Sequence, residues 1–318
     1  MTKNRNLFII IMIVTLVLLF EGIAYYILFI VEHDRTGISV IVYEDDKNWA
    51  DLKEGAELAA RNEENVDINF IVMPEATTAK EQKKIILDEI NSGAKYVVTT
   101  AVDSYELSEL LNGVYESKIE FVMNGTDDKN YKVISPDNYK MGYELGRLIV
   151  EEEGSDINVG IISIDDKKKS LNIRAQGIRV ALGEANVHYE IWNNSIIGDD
   201  IYQFVKNKIN NNEVDAIIVL NESVLDAVTA VVSDNSIYDN YLPVYAMVHS
   251  EKSVYYLDSK QLKYLVYPDE FGAGYAAVTE LLHPAKIRLK DDTIAYSIVK
   301  RADMYSGQYE KVLFPFVK

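Results

Sequence analysis

The sequence predicts an α/β protein made of two doubly wound parallel-sheet lobes joined by a multi-strand hinge, preceded by one transmembrane helix. Three observations carry this expectation. An apolar run from Leu7 to Val31 stands ahead of an otherwise mixed chain. From Gly37 onward, short apolar runs alternate with longer amphipathic stretches, the signature of strands between helices. Two Pro-Asp turns, at Pro136-Asp137 and Pro268-Asp269, each fall between a predicted strand and a predicted helix.

The first run is long enough to span, because about 25 helical residues rising about 1.5 Å each cover the ~30 Å hydrocarbon core. Lys3 and Arg5 precede it and Glu32 and Asp34 follow it. The positive-inside bias therefore keeps residues 1–6 cytoplasmic and places the main domain outside the cell membrane, on a single-pass anchor at residues 7–31. A cleaved secretory signal is the rival reading, since Gly22 and Ala24 form a small-x-small site. The residues that would then begin the mature chain, Tyr25 to Val31, are again apolar, which favours the anchor. Only Glu21 interrupts the span, and a charged acid there costs about 2.5–3.5 kcal/mol. It is protonated, beside a polar neighbour or against a partner helix, or it is a tolerated single acid. The sequence has no cysteine, which removes both disulfide staples and a thioether-linked lipid anchor. A formal net charge of −18 argues against nucleic acid and anionic lipid surfaces as partners.

Eight short runs read as buried parallel strands: Ile38 to Tyr43, Ile68 to Met73, Tyr96 to Thr100, Ile119 to Met123, Val159 to Ile164, Ala216 to Leu220, Val244 to Val248 and Tyr264 to Tyr267. Between the first two, Leu52, Ala56, Ala59 and Ala60 make one apolar helical face while Lys53, Glu57 and Arg61 face water. After Pro136, Met141, Leu145, Leu148 and Ile149 repeat the spacing, with Gly142 and Gly146 permitting close approach to a sheet. Ser135-Pro136-Asp137-Asn138 and Tyr267-Pro268-Asp269-Glu270 are the hinge candidates, each proline opening an element and each acid able to cap a helix. A last strand near Thr293 to Val299 makes a third crossing. The expected lobes are residues 37–136 with about 268–290, and residues 137–267 with about 291–318. No internal repeat or low-complexity linker is evident. The aromatic residues Tyr305, Tyr309, Phe314 and Phe316 argue that the C-terminal extension packs back on a lobe rather than docking a partner.

With these elements in place, the chain from Ile38 to about Arg301 resembles the type I periplasmic binding proteins, especially the ribose- and galactose-binding group, whose fold is shared by the ligand domain of the lactose repressor. The residues that carry the resemblance are Trp49-Ala50-Asp51-Leu52-Lys53-Glu54-Gly55-Ala56, Ser135-Pro136-Asp137-Asn138 with Gly142, Asn172-Ile173-Arg174-Ala175-Gln176-Gly177, and Pro268-Asp269-Glu270-Phe271-Gly272. The resemblance implies hinge closure about a cleft that binds a small ligand, and it implies site residues. Asp46, Asn48 and Trp49 match first-loop contacts, Trp49 as the aromatic that flanks a sugar. Arg174 and Asn221 match a ligand-contacting arginine and asparagine. Each has a plainer reading: Asp46 as a helix cap, Trp49 as cover for the cleft edge, Arg174 as a surface residue paired with Asp165 or Asp166, and Asn221 as a cap before Glu222. The sequence also departs from the sugar binders. Asn124-Gly125 stands for their Asp-Arg pair, Val248-His249 for their aspartate, and Val266 for their glutamine before the hinge proline. Asn124 and His249 remain candidate liners of the cleft.

Enzymatic readings fare poorly. Gly272-Ala273-Gly274-Tyr275-Ala276-Ala277 fits a dinucleotide fingerprint, but Asp269 and Glu270 occupy the turn that would cradle a pyrophosphate; close helix–sheet packing is the plainer account. His33, His188, His249 and His283 lie far apart, with no H-E-x-x-H, G-x-S-x-G or P-loop. No catalytic residue, metal or cofactor is therefore expected. The expected function is a membrane-tethered receptor for a sugar or sugar-like solute that reports occupancy to a membrane sensor such as a histidine kinase. The alternatives are the solute-binding component of an ABC sugar importer, and an interaction protein with a degenerate cleft.

Overall fold

β-branched residues fill TGISVIVY, and its alternate side chains are buried on both faces, which suits a central strand. The computed structural model describes residues 12–25, 35–44, 49–74, 76–164, 167–198, 200–236, 242–248, 250–284, 293–307, 309 and 313. In it this segment forms β1 (Thr36–Tyr43), flanked in parallel by β2 (Val66–Met73) and β3 (Tyr96–Thr99). β4 (Ile119–Val122) and β5 (Lys132–Ile134) complete a five-stranded sheet of order β2-β1-β3-β4-β5. Helix α2 (Ala50–Arg61) and α11 (Glu270–Leu282) cover one face, where Ile38, Val40, Leu52 and Ala277 pack together. Helices α3 (Ala79–Asn91) and α4 (Ser104–Leu111) cover the other, around Ile41, Ile86, Leu107 and Phe121.

The second lobe holds six strands in the order β11-β10-β9-β8-β6-β7. They are β6 (Asn158–Ile162), β7 (His188–Trp192), β8 (Ala216–Val219), β9 (Val244–Ala246), β10 (Tyr264–Pro268) and β11 (Tyr296–Lys300). α5 (Asn138–Glu153) and α6 (Lys169–Glu184) lie on one face. α8 (Ile201–Asn210), α9 (Leu225–Ser236) and α10 (Glu251–Asp258) lie on the other, with short α7 (Asn194–Ile197) after β7. Met304 and Leu313 join this second core and Tyr309 packs against it; Phe314 and Phe316 lie outside the described residues.

Two strands escape the sequence reading. β5 is three residues long, and β7 alternates exposed and buried positions as an edge strand does, so neither makes an apolar run. β11 pairs antiparallel with β10, a departure from all-parallel sheets. Three segments run side by side between the lobes: Ile294 N donates to Ser135 O (3.2 Å), Asp269 N donates to Ala295 O (2.9 Å), and Pro136 bridges Ile294 in parallel. Asp137 and Asp269 cap the helices that leave this hinge, accepting from Lys140 N (2.9 Å) and Gly272 N (2.8 Å).

The lobes repeat one device that the sequence reading missed. Pro-Asp is followed by Gly142 and Tyr143 in α5 and by Gly274 and Tyr275 in α11. A Cβ on Gly142 would overlap the carbonyl of Arg174 in α6, and one on Gly274 would overlap that of Leu52 in α2. Gly142, and Gly274 of the fingerprint-like stretch, thus serve helix-on-helix crossings rather than the helix–sheet contact expected, while Gly272 faces the Asp269 carboxylate.

Residues 12–25 form a helix, α1, whose large side chains are exposed, Phe20 at 74 %. Among the described residues no helix is long and apolar enough to cross a membrane. Residues 1–11 and 26–34, and with them both ends of the expected span, lie outside the described residues.

Candidate functional site

Parallel strands deliver their C-terminal ends to one edge of each sheet, and ligands collect there. The segments after β1, β2, β3 and β4 in one lobe and after β6, β7, β8, β9 and β10 in the other line a cavity of about 800 Å³. That volume lies in the range of small-molecule sites, about 300–1,000 Å³. Acidic Glu44, Asp103, Glu106 and Glu222 and basic Lys167, Lys168 and Arg174 face it among apolar neighbours such as Met123, Leu220 and Met247.

Arg174 is the most constrained of these. α6 carries it to the hinge end of the cleft at 8 % exposure, where its Nε donates to Asn138 Oδ1 at 2.8 Å. Burial lowers its pKa to about 10, while Tyr43 and Glu270 oppose the shift by favouring the charged form. Asn138 and Glu270 are the first residues of α5 and α11, so the repeated Pro-Asp turns aim both at one guanidinium. The surface-pair alternative for Arg174 is thereby replaced by a buried hinge position; Asp165 and Asp166 lie outside the described residues.

Trp49 ends the first loop with φ +52°, an αL conformation that a bulky residue adopts only when its surroundings impose it. Its Nε1 donates to Tyr43 O (2.8 Å), and its ring meets that of Tyr43 edge-on at 5.2 Å. The indole is 2 % exposed, so it stands behind Tyr43 as part of the cleft wall. Asn221 does not cap the following helix: its Oδ1 accepts from Ile164 N at 3.0 Å, tying the loop after β8 to the loop after β6. Asn124 lines the cavity, but its Oδ1 accepts from Ser104 Oγ and Ser170 N, both at 3.2 Å, and its Nδ2 donates to Ala101 O at 2.7 Å. Asp46, Asn48 and His249 lie outside the described residues.

The sequence reading overlooked Tyr43 and Lys168. The ammonium of Lys168 sits 4.0 Å from the centre of the Tyr43 ring, a contact between lobes. The available signal was positional, since Tyr43 ends a predicted strand and Glu44, Asp103, Lys167-Lys168 and Asn221-Glu222 stand just beyond predicted strands. Among the described residues no cluster of His, Cys, Asp and Glu is arranged to hold a metal ion.

Two sheets joined by three segments, with a cavity of mixed polar and apolar lining between their strand ends, define a cleft-type ligand-binding protein. Residues 38–286 match the model of a periplasmic binding protein domain, and the chain belongs to that family, whose members bind ligands and are not enzymes. Among curated proteins, none matches the sequence significantly. Solved structures share the fold. A carbohydrate-transporter solute-binding protein from Agrobacterium radiobacter, in complex with D-arabinose, is 17 % identical, with 88 % of this chain and 99 % of that chain covered at a TM-score of 0.73. GanP, a glucose-galactose binding protein from Geobacillus stearothermophilus, is 16 % identical, with 86 % and 99 % covered and a TM-score of 0.72. A XylFII–LytSN complex matches at 15 % identity, covering 85 % and 99 %, with a TM-score of 0.70. The type I periplasmic-binding-protein fold implied by the resemblance is therefore the fold of this chain.

Proposed function

We propose that this protein is a membrane-tethered, extracytoplasmic receptor for a small solute, a sugar or sugar-like molecule, and that closure of its cleft signals occupancy to a membrane sensor such as a histidine kinase. The observation that carries the binding reading is the cavity between the strand ends, with Trp49, Arg174 and Asn221 in its wall. Neighbouring acids and cations can accept from and donate to hydroxyl groups, and each hydrogen bond to a charged group contributes about 1.5–3 kcal/mol. Asp46, Asn48 and His249 belong to the proposed ligand set on the resemblance alone. Asn124 contributes by holding the wall. The tether rests on the apolar run from Leu7 to Val31 and on the absence of a cysteine to carry a lipid. The XylFII–LytSN complex supports a second protein as the reader of the cleft.

An ABC importer component is the second reading, favoured by a structural neighbour from Legionella pneumophila described as an ABC sugar transporter. Purification of the full chain from its membrane with whatever it retains separates the two: a permease without a kinase would overturn the sensor reading. Binding itself is tested by thermal shift against pentoses, hexoses, disaccharides and sugar acids. A solute at one hundred times its dissociation constant should add about 2.7 kcal/mol. A screen with no shift would leave the degenerate, interaction-only cleft as the better account.

A further inference from the structure

Helix α6 has no capping side chain of its own: its N-cap residue is Lys168, which makes no cap hydrogen bond through its side chain. The first amides of a helix need acceptors, and here the opposite lobe supplies them. Lys169 N donates to Ser104 Oγ (3.0 Å) and Ser170 N donates to Asn124 Oδ1 (3.2 Å). The exchange is reciprocal, because Ser104 N donates to Lys167 O at 2.9 Å. Ser104 is wholly buried, and its remaining polar groups are also engaged: its hydroxyl donates to Asn124 Oδ1 (3.2 Å) and its carbonyl accepts from Asp127 N (3.0 Å). Around this centre, Lys169 Nζ pairs with Asp127 Oδ1 (2.6 Å), Asn172 Nδ2 donates to Tyr105 OH (3.1 Å), and Lys168 covers the Tyr43 ring.

The backbone is bent to make this meeting possible. Met123, with φ +65°, turns so tightly that Asn124 N donates to Val122 O at 2.7 Å, two residues back. That strained turn at the end of β4 throws the Asn124 side chain toward α6. Asn124 stands where the sugar binders of the resemblance carry the first residue of their Asp-Arg pair.

We propose that Ser104 and Asn124 form a cross-lobe cap on α6 that holds the cleft shut by protein contacts alone, so that the closed arrangement is the resting state. They are positioning residues: by fixing α6 they fix Arg174, which rides on it, and the size of the space a solute must enter. Entry then requires the cap to break, and the closure that signals occupancy is the cap re-forming around a solute, which shifts that resting equilibrium. This rests on the cleft being the ligand site, as proposed above.

Because the sequence has no cysteine, two introduced thiols are the only labelling positions, and exposed Glu109 in α4 and Asn207 in α8 report the separation of the lobes. Electron–electron distance measurements on the full chain carrying Glu109→Cys and Asn207→Cys, in nanodiscs and without added solute, should give one short distance. Asn124→Leu and Ser104→Ala should shift the major population to a longer distance. Asn124→Asp, which keeps the acceptor facing the helix N-terminus, should retain the short one. Lys169→Glu sets like charge against Asp127 at a partly exposed site that folding tolerates, and it too should open the cleft. A parent that rests mainly open, or opening variants indistinguishable from the parent, would overturn the proposal. If the distances behave as stated but the solute screen stays blank, the cap stands and the receptor reading falls; if solutes bind a parent that rests open, the reverse holds.

Discussion

Glu120, on β4, is 3 % exposed, and its Oε1 has no hydrogen-bond partner; Lys132, on the adjacent β5, favours its charged form, but that lysine pairs with Glu280. Burial raises its pKa to about 8 and the lysine offsets only part of this. The folded state therefore holds this proton more tightly than the unfolded chain, whose value is near 4.5. Its contribution to stability is complete below that lower value and is lost as pH rises toward about 8, after which it is constant. Glu120→Gln should thus gain on the parent by about 2–4 kcal/mol between pH 5 and pH 8, read by urea unfolding at both. Parallel profiles for the two proteins would dismiss the assignment. Arg174 behaves differently, since it is itself a buried charged group whose Nε donates to Asn138 Oδ1. Arg174→Met leaves that acceptor without its donor and should cost about 1–3 kcal/mol, in addition to any loss of ligand binding. A change below about 0.5 kcal/mol would place the guanidinium in water instead.

At the scale of elements, the two glycine-mediated crossings fix how each helix pair sits on its sheet. Gly274→Ala places a methyl against the Leu52 carbonyl, backbone against backbone, where nothing can rotate away. We expect a loss of about 3 kcal/mol, at the upper end for overpacking, whereas Gly183→Ala, with nothing within 4 Å of the added carbon, should be neutral or slightly stabilising. Equal melting temperatures for the two would refute the close-crossing account. The central strands of this molecule were legible because burial on both faces leaves an uninterrupted apolar run, and edge strand β2, in which only Met73 is buried, was legible through its apolar residues from Phe70 to Met73. β5 and β7 were not, one being too short and the other half wet. The Pro-Asp caps were legible too, since capping is local chemistry. What the repeated glycines touch was not, because the partner helix of α11 lies more than two hundred residues earlier in the chain.

For the whole molecule, the sequence offers an internal reporter, having only two tryptophans. Trp49 stands in the cleft wall and Trp192 in the core of the second lobe, packed edge-on to Phe204 at 5.2 Å. Any fluorescence change on adding a binding solute should survive Trp192→Phe and vanish in Trp49→Phe. The opposite pattern would move the binding event away from the cleft.

The alternation of apolar runs with amphipathic stretches determined the two-lobed α/β class, because burial on both faces is written into composition and period alone. Proline and aspartate at fixed offsets determined where helices leave the hinge, for the same local reason. Only the tertiary structure decided what the polar residues at the strand ends do. Asn124 and Asn221 read alike as candidate ligand contacts, yet one caps a helix of the other lobe and the other ties two loops of its own lobe together. Hydrogen-bond partners so far apart in the chain are chosen by how the sheets are brought together, and no local pattern records that choice.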